Sequence, residues 1–416
     1  MNKFKILGIA VVTALALTAF AGAGTALAAA PVNTGLPAIS PSAPIEGTKV
    51  TTSNGKWSGS PTAFSYKWQR CNAAGAECAY IEGATLSTYT PTATDVGKTL
   101  VSRVTAYNEE GNTSVFSKPT AVVRPIGEIK EYALPEKSYP VGIAFGWMSK
   151  PWFSTEEGVI GHISTSGTEL TEYTLPGFSC SESIDDHPAD TKMWFTNGCA
   201  NKVGKISTTG VITEYALPAG SGPGGITAGP IVAGNANMWF VNNGTDKVAK
   251  ITSTGVITEY ALPAKSDPVD IVTGSDKNLW FTNGGTGKIG KITPAGVITE
   301  YALPAGSHPV EIAADPSGDL WFTDFSNKKV SKITTAGTVT EYSVAAGSPR
   351  GVTVDGGGRP WFTIQQADLI GKLEANGTVR TFSLPAGSAP TGIDTGAGGL
   401  LWFANTLSSK IGSITS

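Results

Sequence analysis

The dipeptide Trp-Phe occurs seven times in the last three-quarters of this chain, with its Trp at positions 152, 194, 239, 280, 321, 361 and 402. Successive gaps are 42, 45, 41, 41, 40 and 41 residues. Self-similarity at a period near 40, in units that read as strands, requires one supersecondary unit per repeat, stacked on its neighbours to bury a shared core. The spacing therefore predicts an all-β fold, a seven-bladed β-propeller with four-stranded blades.

One repeat shows how. Val310-Glu311-Ile312-Ala313 follows a Pro and reads as the innermost strand. Leu320-Trp321-Phe322-Thr323 reads as the second strand, Lys329 to Ile333 as the third, and Val339-Thr340-Glu341-Tyr342 as the outer one. In the neighbouring repeat, Thr293-Pro294-Ala295-Gly296 places Pro at i+1 and Gly at i+3 of a type I turn. A Gly bulge there sets Ile292 opposite Ile298. Small residues in the first strand (Gly142, Gly225, Gly351, Gly392) leave room for close blade approach, but Asp270 and Glu311 break that rule. The last repeat stops at its third strand, near Ile414, whereas Glu128 to Tyr132 reads as an outer strand with no blade before it. The ring is expected to close by pairing these two ends, which removes exposed strand edges.

Two segments precede the repeats. In residues 1–29, Lys3 and Lys5 lead an apolar run from Ile6 to Phe20, and Ala26-Leu27-Ala28 offers a cleavage site. That is the pattern of a secretory signal peptide; the apolar run is short for a spanning helix. The expectation is a secreted, extracellular, monomeric protein with no membrane span once processed. Residues 30–124 alternate short apolar runs with turn signals, as in a small β-sandwich. They resemble the immunoglobulin-like repeats of secreted bacterial proteins, a resemblance carried by Phe64 to Cys71, by Tyr89 to Thr92 and by Leu100 to Ala106; Trp68 would be the core Trp of such a domain. It implies either an adhesion or carbohydrate-binding module or a spacer. The propeller is expected over residues 125–416.

Net charge is −3 with no basic stripe, which argues against nucleic acid as a partner. The four Cys form two local pairs, Cys71/Cys78 and Cys180/Cys199. Outside the cell both are expected as disulfides; a zinc site is the alternative, and would need sulfurs from two domains. Cys180 and Cys199 fall on two loops that share one face of a propeller, the top.

The repeat Pro-x-Gly-Ile … Leu-Trp-Phe-Thr … Ile-Gly-Lys-Ile-Thr-x-x-Gly-x-Ile-Thr-Glu-Tyr resembles that of the virginiamycin B (streptogramin B) lyases over residues 127 to 416. Leu279 to Thr282, Ile289 to Thr293 and Pro294 to Tyr301 are examples. The resemblance implies a seven-bladed propeller and the opening of a cyclic depsipeptide antibiotic by elimination. That chemistry needs a base for a proton α to a carbonyl and a cation for the developing enolate. In the family these are a His after the first-strand Pro of the last blade and a Mg²⁺ held by two Glu, with a second His touching substrate. The matching positions here are Thr391 for the base, Ala389 and Asn405 for the carboxylates, and Arg350 for the substrate His. None carries the family's residue.

No other blade has a His after its Pro. His162 and His308 read as surface residues and His187 as a loop residue on the other face. The residues three after each Trp, among them Asn283, Asp324 and Asn405, are expected to ring the top of the channel with Glu182, Arg350 and Thr391. Such a rim suits a polar small molecule, a glycan or a peptide; ordinary strand-end turn chemistry is the competing account. The reading is a secreted binding protein without a cofactor, with a cell-wall surface as a candidate partner; the alternative is a lyase with a rearranged site, which would keep Mg²⁺.

Overall fold

The computed structural model describes residues 29–146, 149–177, 179–187, 189, 191–231 and 236–416. The leader expected at residues 1–29 lies, but for its last residue, outside them. From Ile129 onward the described residues form seven four-stranded antiparallel sheets in succession. Their first strands stand side by side, and the last of them, Pro390–Thr395, lies against Pro140–Gly146 of the first sheet, so the ring is closed. The repeat read in detail has strands Pro309–Ala314, Leu320–Asp324, Lys329–Ile333 and Val339–Ser343. Blades are numbered here from the sheet that begins at Pro140.

Closure takes the expected form. Ile129–Ala133 pairs with Lys410–Thr415, supplying the outer strand that the last blade lacks. Each Trp is buried between blades and lies against the aromatic ring of its own outer strand, as Trp280 does on Tyr301 at 5.5 Å between centroids. Ile292 pairs with Ile298. Gly296, at φ 94°, sits where a Cβ would come within 2.2 Å of the Tyr260 ring of the preceding blade. Only glycine allows both that backbone and that contact, so the turn residue also fastens blade to blade.

Before the ring, short strands from Val32 to Phe116 form a two-, a three- and a four-stranded sheet. Trp68 is fully buried among Ile39, Val50, Leu100 and Val123, and its Nε1–H donates to the carbonyl of Leu86 (2.9 Å). Both disulfides are formed, Cys71–Cys78 and Cys180–Cys199. At the junction, Ile45 and Arg124 bridge, and Arg124 Nη2 donates to Gly398 O (3.3 Å). No helix among the described residues is long and apolar enough to cross a membrane.

Candidate functional site

Several residues expected at the channel rim turn out to build the blades. Asn283 is fully buried and donates from Nδ2 to Glu300 Oε1 (2.9 Å), whose other oxygen takes Lys288 Nζ (2.8 Å). The same Asn–Glu–Lys triad recurs as Asn197–Glu214–Lys202 and Asn242–Glu259–Lys247. Asn405 belongs to it too, donating to Glu131 Oε1 (2.7 Å) while Lys410 bonds Glu131 Oε2. Asp324 is buried and accepts from the amides of His308 (3.0 Å) and Asn327 (3.2 Å). A buried amide needs a partner, and here the outer strand provides it. These three residues therefore point into their own blade and its top loops, not into the channel.

The histidines also differ from expectation. His162 is buried against Trp152, 4.5 Å between ring centroids, with burial and Lys150 holding its pKa down. His187 ends the first strand Ser181–His187 instead of lying in a loop, and its Nε2 is 2.9 Å from Ala236 O. His308 is half-buried, with Nδ1 at 3.1 Å from Gly284 O.

Thr391 has its own task. In blades four, five and six the Thr of Leu/Pro-Trp-Phe-Thr donates to a carbonyl in or just before the first strand of the next blade: Thr282 to Val310, Thr323 to Arg350, Thr363 to Thr391. The last blade has Ala404 in that place. There Thr391 substitutes, its Oγ1 donating toward Val141 O (3.1 Å) with Thr406 Oγ1 at 2.9 Å. At 2% exposure its side chain is committed to joining the last blade to the first. Thr391→Val is expected to cost about 1–2 kcal/mol, because a buried carbonyl loses its donor. Urea unfolding that leaves the midpoint unchanged would count against this role.

What faces the axis is a cavity of ≈ 550 Å³ lined by all seven first strands. Glu182 and Arg350 stand at its top. Burial in the concave wall and Glu156 raise the Glu182 pKa, while Arg350 opposes them. Arg350 is steadied by Gln365, Nη1 to Oε1 3.1 Å. Deeper in lie four carboxyl groups that sequence reasoning did not place there. Asp270 accepts from the Ile312 amide (3.0 Å), Glu311 from Val352 (3.2 Å), Asp185 from Ala228 (3.1 Å) and Asp394 from Phe145 (2.7 Å). In each case the donor is on the next blade's first strand, whose inner edge has no strand to pair with. Asp270 and Glu311 thus break the small-residue rule in order to cap that edge. All four are partly exposed to the channel, yet protein surrounds them. Burial pushes Asp185 up to about 7 and Asp394 to about 6, and it raises the mutually repelling Asp270 and Glu311 as well. The sequence signal was available: an acid at alternate first-strand positions points inward by the two-residue period.

Comparison with known proteins fits this geometry. The model of the virginiamycin B lyase family matches residues 113–305 and 263–416. The chain belongs to the virginiamycin B lyase family. A streptogramin B lyase structure is similar at 34% identity and a TM-score of 0.65, over 70% of this chain and 98% of the other. Virginiamycin B lyase from Staphylococcus aureus gives 35% identity and a TM-score of 0.65, covering 70% and 99%. A catalytically inactive variant of the S. aureus enzyme, solved with quinupristin, gives the same figures. No curated protein matches.

Mg²⁺ belongs to the chemistry that the family resemblance implies, and the residues at those positions do not fit it. A hard divalent cation needs several oxygen ligands with compensating charge. Ala389 brings no donor, the Thr391 hydroxyl is engaged, and Asn405 is turned toward Glu131. Asn405 Oδ1 is buried without a partner, but so are the Oδ1 atoms of Asn242 and Asn283, so this is a trait of the repeat. Among the described residues no three or more His, Cys, Asp or Glu gather as metal ligands.

Proposed function

We propose that this protein is a secreted, seven-bladed relative of the virginiamycin B lyases that binds a ligand at its channel mouth without cleaving it, carried on an immunoglobulin-like module. The observation that carries the reading is Thr391. The position of the family's base holds a hydroxyl whose ordinary pKa lies far above neutrality and whose hydrogen bonds are spent on ring closure. The elimination needs a proton acceptor at that position, and a Thr hydroxyl engaged in this way does not act as one at neutral pH. Glu182 and Arg350 remain as opposite charges on the upper wall of a cavity otherwise walled near the top by Val141, Gly224, Val269 and Val310. They suit a polar small molecule, a glycan or a peptide bearing charge. Two disulfides and the N-terminal leader pattern support an extracellular setting.

The test is streptogramin B linearisation followed by chromatography, with and without Mg²⁺. No turnover above the uncatalysed rate is expected in either case. Robust Mg²⁺-dependent opening would establish the alternative, a lyase with a rearranged site. If quinupristin binds uncleaved, Arg350→Ala is expected to weaken it at least fivefold, whereas unchanged affinity would move the ligand away from the mouth.

A further inference from the structure

One outer surface of the N-terminal module has a composition that its fold does not require. The four-stranded sheet Ala79–Tyr80, Ala63–Cys71, Thr99–Asn108, Gly111–Phe116 buries Trp68 on its inner face. On the opposite face the register aligns Lys67 with Arg103 and Phe116, Gln69 with Tyr80, and Ala63 with Tyr107. Tyr80, Tyr107 and Phe116 are 50%, 38% and 43% exposed, although a solvated sheet face ordinarily carries small polar side chains. The four strands contain no Asp or Glu, and among the described residues neither Lys67 nor Arg103 makes an ion pair.

The exposed groups are held in place. Arg103 donates from Nη2 to Ser114 Oγ (2.9 Å) and from Nη1 to Tyr80 Oη (3.3 Å). Lys67 Nζ lies 5.6 Å from the centre of the Tyr80 ring. Tyr107 Oη and Ser65 Oγ are 3.0 Å apart. Tyr80 sits on a strand of only two residues, and the Cys71–Cys78 disulfide ties that segment to its neighbour. The staple thus has a purpose beyond local stability: it fixes an exposed ring that two hydrogen-bonded residues could not fix alone. A preordered surface loses less entropy on binding.

We propose that this sheet face is a binding platform for an acidic polysaccharide, one bearing carboxylate groups along its chain. The three rings are separated by cationic and hydroxyl side chains, so they do not form the continuous apolar core of a protein interface. Separated rings suit sugars, whose C–H faces lie on aromatic rings while their hydroxyls meet polar neighbours. The uncompensated Lys67 and Arg103 select a polymer of negative charge. This platform is independent of the channel, so it stands or falls apart from the reading of the propeller.

The experiment is affinity electrophoresis of the protein in gels containing polygalacturonate, with dextran gels as the neutral control. Retardation is expected in polygalacturonate and not in dextran. Tyr80→Ala and Phe116→Ala are each expected to reduce apparent affinity at least fivefold. Lys67→Met is expected to lower affinity threefold or more and to flatten its dependence on salt. Unchanged melting temperature and Trp fluorescence would show that the variants fold. The proposal is overturned by absence of retardation in polygalacturonate, by equal retardation in dextran, or by folded Tyr80→Ala and Phe116→Ala variants that bind as the parent does.

Discussion

A chain that begins at Pro135 is expected to lose the cooperative unfolding transition of the propeller, whereas one that begins at Pro125 retains it with a modest loss of melting temperature. The difference is the strand Ile129–Ala133. It covers the edge of Lys410–Thr415 through five aligned residue pairs. Tyr132 stacks on Trp402 at 5.7 Å, and Leu134 is buried with Ile411. Ile129 packs against the core of Trp361 and Ile414. Fully burying a large apolar side chain contributes about 1.5–3 kcal/mol; Leu134 is buried and Ile129 and Tyr132 are partly so, so together they account for roughly 4–5 kcal/mol. That is comparable with the whole net stability of many proteins. Glu131 adds to it, because its loss leaves Lys410 and the buried Asn405 without their partner. Circular dichroism melts of the two truncated chains make the comparison. Equal midpoints would mean that the closing strand is dispensable.

Stability is expected to fall as pH rises from 5 to 8.5, and Asp185→Asn is expected to flatten that slope. The sign follows from linkage. An Asp in the unfolded chain ionises near pH 4, whereas in the folded protein Asp185 holds its proton up to about 7 and Asp394 to about 6. Between those values the folded state binds more protons than the unfolded one, so raising pH favours unfolding. The penalty is absent below about pH 4 and complete above about pH 7 for Asp185. Asn cannot ionise and still offers an oxygen to the Ala228 amide. At pH 8.5 Asp185→Asn is expected to gain about 1–3 kcal/mol, discounted from about 1.4 kcal/mol per pKa unit for water in the channel. Glu311→Gln should act in the same direction, with Arg350 reducing the gain. Urea unfolding at both pH values checks this. Parallel pH profiles for parent and variants would show that these acids ionise freely in the channel.

The blades were legible in the sequence to within one or two residues at their strand ends. Both Cys pairings were legible as well, since each pair lies within a single hairpin or blade. The direction of the residues three after each Trp was not. Asn283 ends a strand, where side-chain alternation no longer dictates a face, and its partner Glu300 sits on the outer strand of the same blade. A constant spacing of 17 residues from Asn to Glu, repeated at 197/214, 242/259 and 283/300, was the available clue.

By itself the sequence determined the repeat, its strands, the need to borrow an outer strand for the last blade, and the absence of the family's base at position 391. These follow from local patterns of two and forty residues. Only the tertiary structure decided that the Thr391 hydroxyl serves ring closure and that Asp270 and Glu311 cap the neighbouring blade. The reason is physical: those partners, Val141, Ile312 and Val352, lie on other blades, up to 250 residues away in the chain, and only the closed ring brings them within hydrogen-bonding distance.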